Sequence, residues 1–251
     1  MSYYLETVDT IEPGLGFELY GMCHLIWLIF GVVMVASVSK MYRGASSEKR
    51  IKMRRIVGGL LVADELFKIC TLVAGGNYSV DYLPLHLCSI NIIFIAIHCI
   101  KSNKLLDNFL YIACIPGAIA ALLFPTWTSL PFGNLMHMHS FTVHILLIMY
   151  PVMLTVGGDI RPEVKMVPKC LAFLLIMAVP IGIFNMIFDT NFMFLMEAPA
   201  GSPLYWFAEN WGNHLLGYPV LLGAVCVVMI GLYKVIVRLT GERKLNETTY
   251  S

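Results

Sequence analysis

Long apolar runs separated by short polar joints dominate the chain. Runs of about 20 mostly apolar residues, the length a helix needs to cross a hydrocarbon layer, occupy residues 20–38, 56–74, 83–100, 105–124, 139–156, 167–188 and 218–239. In lipid every backbone N–H and C=O must be satisfied within the segment, so runs of this kind read as helices. The pattern predicts an all-α, polytopic integral membrane protein with seven transmembrane helices. Residues 1–19 form an outer segment, 20–239 a single helical bundle and 240–251 a tail. The first 19 residues contain Glu6, Asp9, Glu12 and Glu18 but no Lys or Arg, the reverse of the basic opening of a signal peptide. Pro84, Pro116, Pro151, Pro180 and Pro219 fall within spans three to seven, where prolines are tolerated and mark kinks.

Composition sharpens this picture. Hydrophobic residues make up 58% of the 251 and charged residues only 13%, about half the roughly 25% of a soluble domain, so too little polar surface exists to cover a water-soluble fold. The 17 basic and 16 acidic residues nearly cancel, and a nucleic-acid partner has no basic surface to meet. The seven cysteines all sit in apolar runs with no CxxC among them, which argues against a disulfide framework or a zinc site.

The distribution of charge says more than its sum. Sixteen of the seventeen basic residues fall between spans one and two, between three and four, around the five–six joint, and at or after the end of span seven. The opposite side carries Glu6, Asp9, Glu12, Glu18, Asp81, Asp189, Glu197 and Glu209 without a single Lys or Arg. Positive charge stays on the cytoplasmic side, so the N-terminus is expected outside and the C-terminus inside. The long outer stretch 189–217 is rich in aromatics and is expected to lie in the outer interface. Asn77 and Asn246 head glycosylation-type triplets, the second on the cytoplasmic side.

Ionisable groups within spans cost about 2.5 kcal/mol or more at mid-helix, so each calls for a reason. Span two holds Asp64, Glu65 and Lys68; spacings of four and three put either acid beside Lys68, as a self-neutralised structural pair or, alternatively, in a functional role. On span three Cys88, Asn91 and His98 share one stripe with His86 off it, and on span five His137, Ser140 and His144 share another. With the topology above, His24, His86, Cys88, Asn91, His137, His139, His144, Asn185, His214 and Tyr218 all lie in the outer half. A hydrogen-bonded helix contact is the better reading for each histidine alone; their convergence at one depth is what argues for a site. A Cys facing a His makes an activated nucleophile, and Cys88 lies one turn from Asn91 at the depth of His144. Zinc ligation ranks below this, because no HExxH pair puts two ligands on one face.

The motif LPLHLC at 83–88, the run HILLIMYP at 144–151 with Arg161-Pro162 beyond it, and NFMFL at 191–195 followed by Pro199 and Ser202 together resemble the YwaF-type bacterial integral membrane proteins, which are related to the eukaryotic transmembrane protein 164 family. That resemblance implies an acyltransferase that remodels membrane phospholipids, with Cys88 as nucleophile and His144 as its partner. His86, two residues before Cys88, is an alternative base. The resulting expectation is a lipid acyltransferase or transacylase open to the outer leaflet. Cys88 and His144 are its catalytic pair and Asn91 the oxyanion donor, while His86, Ser140, Asn185, His214 and Tyr218 line the substrate path. Membrane lipids are its partners, and it needs no cofactor if a phospholipid is the acyl donor. The Cys88 sulfur is expected within about 3–4 Å of a His144 ring nitrogen. The rival is a permease or solute-binding component, against which the scarcity of ionisable groups in the inner half, His98 apart, is counted.

Overall fold

The computed structural model describes residues 3–240, with the side chains of 239 and 240 excepted; the tail with Arg243, Lys244 and the Asn246 triplet lies outside the described residues. The regular structure among those residues is helical, with no strand. In chain order the helices are α1 (Met22–Gly44), α2 (Ser47–Ala74), α3 (Leu87–Ile100), α4 (Lys104–Phe109), α5 (Ile115–Leu123), α6 (Leu135–Gly157), α7 (Val167–Phe188), α8 (Pro203–Trp211) and α9 (Gly217–Thr240).

Five helical stretches are long and apolar enough to cross a membrane: Met22–Gly44, Lys104–Leu123, Leu135–Gly157, Val164–Phe188 and His214–Arg238. The other two of the seven expected spans fall short for separate reasons. The helix α2 has the length but carries Asp64, Glu65 and Lys68 within its apolar part. In α3 only 14 residues are helical, a rise of about 21 Å, because Pro84 keeps Leu83 out of the helical region (φ −58°, ψ 150°) and His86 is the N-cap (φ −68°, ψ 150°). Pro84 therefore precedes its helix instead of kinking it.

Polar caps set several boundaries that hydropathy alone does not show. Ser46 accepts from the Lys49 N–H and starts α2 nine residues before the apolar run. Asn134 accepts from the His137 N–H at 3.0 Å and starts α6 four residues early. Between α4 and α5 the chain passes through a π turn, Leu110–Cys114, just before Pro116, whose missing N–H forbids the regular ladder. Pro151 inside α6 similarly frees the Leu147 carbonyl, and the Cys114 thiol donates to it at 3.4 Å.

The central helix is α6, packed against α1, α2 and α5 and buried along most of its length. Close approach elsewhere depends on small residues: a Cβ on Gly58 of α2 would stand 2.6 Å from the Cys99 sulfur of α3. The segment before α1 is strapped down. The Asn134 side chain donates to the Tyr3 and Glu6 carbonyls, and the Phe17 N–H to the Thr128 carbonyl. The outward faces of α1, α7 and α9 remain apolar and exposed, as at Ile29, Ile176 and Val227.

Candidate functional site

Cys88 sits in the first turn of α3, half-buried and packed against the core. The charges of Lys68 and Glu65 act on it from α2, and Cys114, the cysteine that caps Leu147 of α6, is its electrostatic neighbour. His144, one turn above Leu147, is 8% exposed and stacked on the Trp127 indole (5.4 Å between centroids, 10° between planes). Its Nδ1 lies 2.6 Å from the Ser140 carbonyl. A carbonyl only accepts, so Nδ1 carries the proton and Nε2 the lone pair. His139, Asp64 and His86 are the charged or titratable groups whose fields reach this ring. No hydrogen bond joins the Cys88 sulfur to His144; the layer between them is bordered by α2, whose Lys68 and Glu65 act on the sulfur and whose Asp64 acts on the ring.

The three charges of α2 form one wall of that layer. Lys68 pairs with Glu65 at 2.5 Å. Asp64 instead turns to α6, where Thr142 Oγ1 donates to its carboxylate at 3.2 Å and His139 Nδ1 stands 3.3 Å away, off line for a hydrogen bond. Four buried polar atoms have no partner among the described residues: Ser39 Oγ, Asn91 Oδ1, Trp127 Nε1 and His139 Nδ1. Asn91 lies one turn from Cys88, and Trp127 covers the face of His144. An indole N–H donates only, so beside His144 stands a buried donor with nothing to bind. Composition and spacing single out no role for Trp127, which lies in a polar joint; the proline and threonine around it were the only signal.

Four residues expected to line a substrate path converge on a single loop instead. After α7 the chain makes the turn Phe192–Phe194, with Met193 and Phe194 at positive φ (56° and 55°), a conformation non-glycine residues hold only when their surroundings compel it. Asn185 supplies much of that compulsion: its Oδ1 accepts from the Phe192 N–H (3.0 Å) and Thr190 Oγ1 (2.9 Å), and its Nδ2 donates to the Phe192 carbonyl (2.9 Å). The Met193 N–H donates to His86 Nδ1 at 3.3 Å, Tyr218 donates to the Met193 carbonyl at 2.7 Å, and His214 Nε2 donates to the Phe194 carbonyl at 3.1 Å. Side chains from the start of α3, the end of α7 and the start of α9 thus clamp one strained segment. Ser140 is not among these contacts; its backbone carbonyl accepts from His144 Nδ1. Among the other histidines, His24 bonds the Leu122 carbonyl and the Tyr20 N–H, while His137 bonds the Leu130 carbonyl and Trp27; both have two partners and no free nitrogen.

The opposite end of the bundle is also polar. His98 Nε2 pairs with Asp107 at 2.7 Å, and its Nδ1 accepts from the Tyr150 hydroxyl at 2.9 Å. Arg54 bonds that hydroxyl in turn, and Asp159 holds Tyr42 together with Arg50. Asp107 lies in the fourth apolar run, 105–124, and α4 carries it against His98. The inner half thus holds buried ionisable groups besides His98, and their scarcity does not count against a permease.

The model of the TMEM164 family matches residues 19–230. No curated protein and no solved structure matches the chain.

Proposed function

Because the chain belongs to the TMEM164 family, we propose that it is a membrane acyltransferase or transacylase acting on phospholipids, with Cys88 as nucleophile and His144 as general base. The observation that carries this reading is the state of His144. Its Nδ1 proton is committed to Ser140, so Nε2 keeps the lone pair that a general base needs. Its rival is differently engaged. The lone pair of His86 already accepts from the Met193 N–H, which leaves that ring protonated on Nε2 and unable to take a proton there. On this reading all seven apolar runs span a bacterial cytoplasmic membrane with the N-terminus outside, since paired charges on α2 and a short α3 are tolerated inside a bundle.

In the first half-reaction His144 Nε2 takes the Cys88 proton as the sulfur attacks an acyl ester carbonyl. The tetrahedral oxyanion collapses to a thioester, and the departing lysophospholipid oxygen takes the proton back from His144. In the second, the hydroxyl of an acceptor lysophospholipid gives its proton to His144 and attacks the thioester, and the Cys88 thiolate leaves and is reprotonated. An oxyanion needs donors that are already in place; the Asn91 amide and the unpartnered Trp127 N–H are the candidates. No cofactor enters when both donor and acceptor are lipids. A groove beneath the clamped loop would admit the acyl chain. Lipid profiles of membranes carrying the wild-type chain or Cys88→Ala test the reading: acyl exchange that follows wild-type expression and vanishes in the variant supports it, and identical profiles refute it.

A permease remains a second reading, favoured by the buried Asp107–His98–Tyr150 chain on the far side of the bundle. Solute uptake that persists in Cys88→Ala while lipid profiles stay constant would select it.

A further inference from the structure

The turn joining α1 to α2 lies at the opposite end of these helices from Cys88, and it forms a groove of about 610 Å³. Its lining combines two chemistries. Met41, Met53 and Ile56 supply apolar surface, while Lys40, Lys49 and Lys52 bring three ammonium groups to the same groove. All three lysines are exposed, and none is in an ion pair with a carboxylate among the described residues, whereas Lys104, Lys165 and Lys68 each have one. The nearest acid in sequence, Glu48, makes no bridge to them. The N-terminus of the 28-residue α2 adds the positive end of its dipole to this place.

The turn is also braced. The Arg50 guanidinium donates to the Arg43 carbonyl (2.8 Å) and the Ala45 carbonyl (3.3 Å) on the turn itself. It also donates to the Gly157 carbonyl (3.0 Å) and Asp159 (2.8 Å) at the end of α6. The groove is therefore shaped by bonds that do not involve its lysines, so removing their charge leaves the walls standing.

We propose that this groove binds an anionic phospholipid of the adjoining leaflet, its phosphate among Lys40, Lys49 and Lys52 and the upper part of its chains along Met41, Met53 and Ile56. Unpaired ammoniums at the edge of a membrane-facing apolar surface complement an amphiphile with a negative head, and the volume suits a lipid headgroup with its first chain carbons. The proposal requires only that the chain spans a membrane. It does not depend on the Cys88 chemistry, and its failure leaves that chemistry untouched.

The test uses the full chain in phosphatidylcholine discs, with binding of a fluorescent phosphatidylglycerol measured for the wild type and for the triple variant Lys40→Gln/Lys49→Gln/Lys52→Gln. Three lysines near an anionic lipid surface together amount to roughly 100-fold in affinity, so a loss of that order is expected. Wild-type binding should weaken as salt is added. Arg55→Gln changes an exposed basic residue of the same helix that does not line the groove, and it should bind as the wild type does. Undiminished binding by the triple variant would overturn the proposal. So would an equal loss in Arg55→Gln, which would mean diffuse charge instead of a site, or complete competition by soluble glycerol phosphate, which would make a free phosphate the occupant.

Discussion

Asn185→Ala removes three hydrogen bonds from the turn after α7 while leaving every charge in place. The native side chain is 1% exposed and bonds the Phe192 N–H, the Phe192 carbonyl and Thr190 Oγ1. Stranding a buried donor or acceptor costs about 1–3 kcal/mol each, and Thr190 can find another partner, so about 3 kcal/mol is expected from the two Phe192 groups. Met193 and Phe194 hold positive φ, a strain of about 1–3 kcal/mol each, so the segment has reason to leave its conformation once the clamp fails. The energy should appear locally. Amide exchange at Phe192 should accelerate roughly 100-fold by the relation between free energy and opening equilibrium, with α6 amides unchanged. Hydrogen exchange read by mass spectrometry on the purified chain measures this. Unchanged exchange at 192–195 would refute the idea that Asn185 holds the turn.

Further outcomes follow from other contacts. Lys68→Met strands Glu65, and breaking a buried pair costs about 3–5 kcal/mol, so folding yield in membranes should fall; replacing Glu65 and Lys68 together by apolar residues should restore it. A Lys68→Met chain that folds in full yield but lacks activity would move Lys68 from support into the reaction. Tyr150→Phe deprives His98 and Arg54 of one hydroxyl and should lower stability by about 1–3 kcal/mol, seen as a reduced Tm in detergent. The Glu163 carboxyl is held below the usual range by hydrogen bonds from Lys104 and Lys165. Its contribution is present above the ordinary carboxylate pKa and is lost as pH falls through the lowered value. The Tm difference between wild type and Glu163→Gln should accordingly shrink on acidification; a difference independent of pH would contradict the pairing.

Much of the architecture was legible because hydropathy responds to the solvent that surrounds a helix. The run 167–188 coincides with α7, and 218–239 falls within one residue of α9 at each end. What escaped was set by local polar chemistry. Ser46 and Asn134 extend α2 and α6 through residues that hydropathy scores as joints, and Pro84 shortens α3. At the site, the depth at which His86, Asn185, His214 and Tyr218 gather was readable from the order of spans. That they hold a loop backbone was not, because their partners are main-chain groups and every residue carries those. Trp127 was missed for a related reason: its interest lies in an unsatisfied N–H over His144, a property of packing with no trace in spacing. Asp107 was visible within its apolar run, but its partners His98 and, beyond it, Tyr150 come from other helices and left no mark in the spacing.

Acylation of Cys88 is the most direct consequence of the proposed chemistry. The full chain, reconstituted with a phospholipid bearing an isotope-labelled acyl group and quenched during turnover, should yield a Cys88 peptide heavier by that acyl group, with the label removed by hydroxylamine. The same peptide should be bare in His144→Ala. Continued acyl exchange with no label on Cys88, or full exchange by Cys88→Ala, would contradict the account.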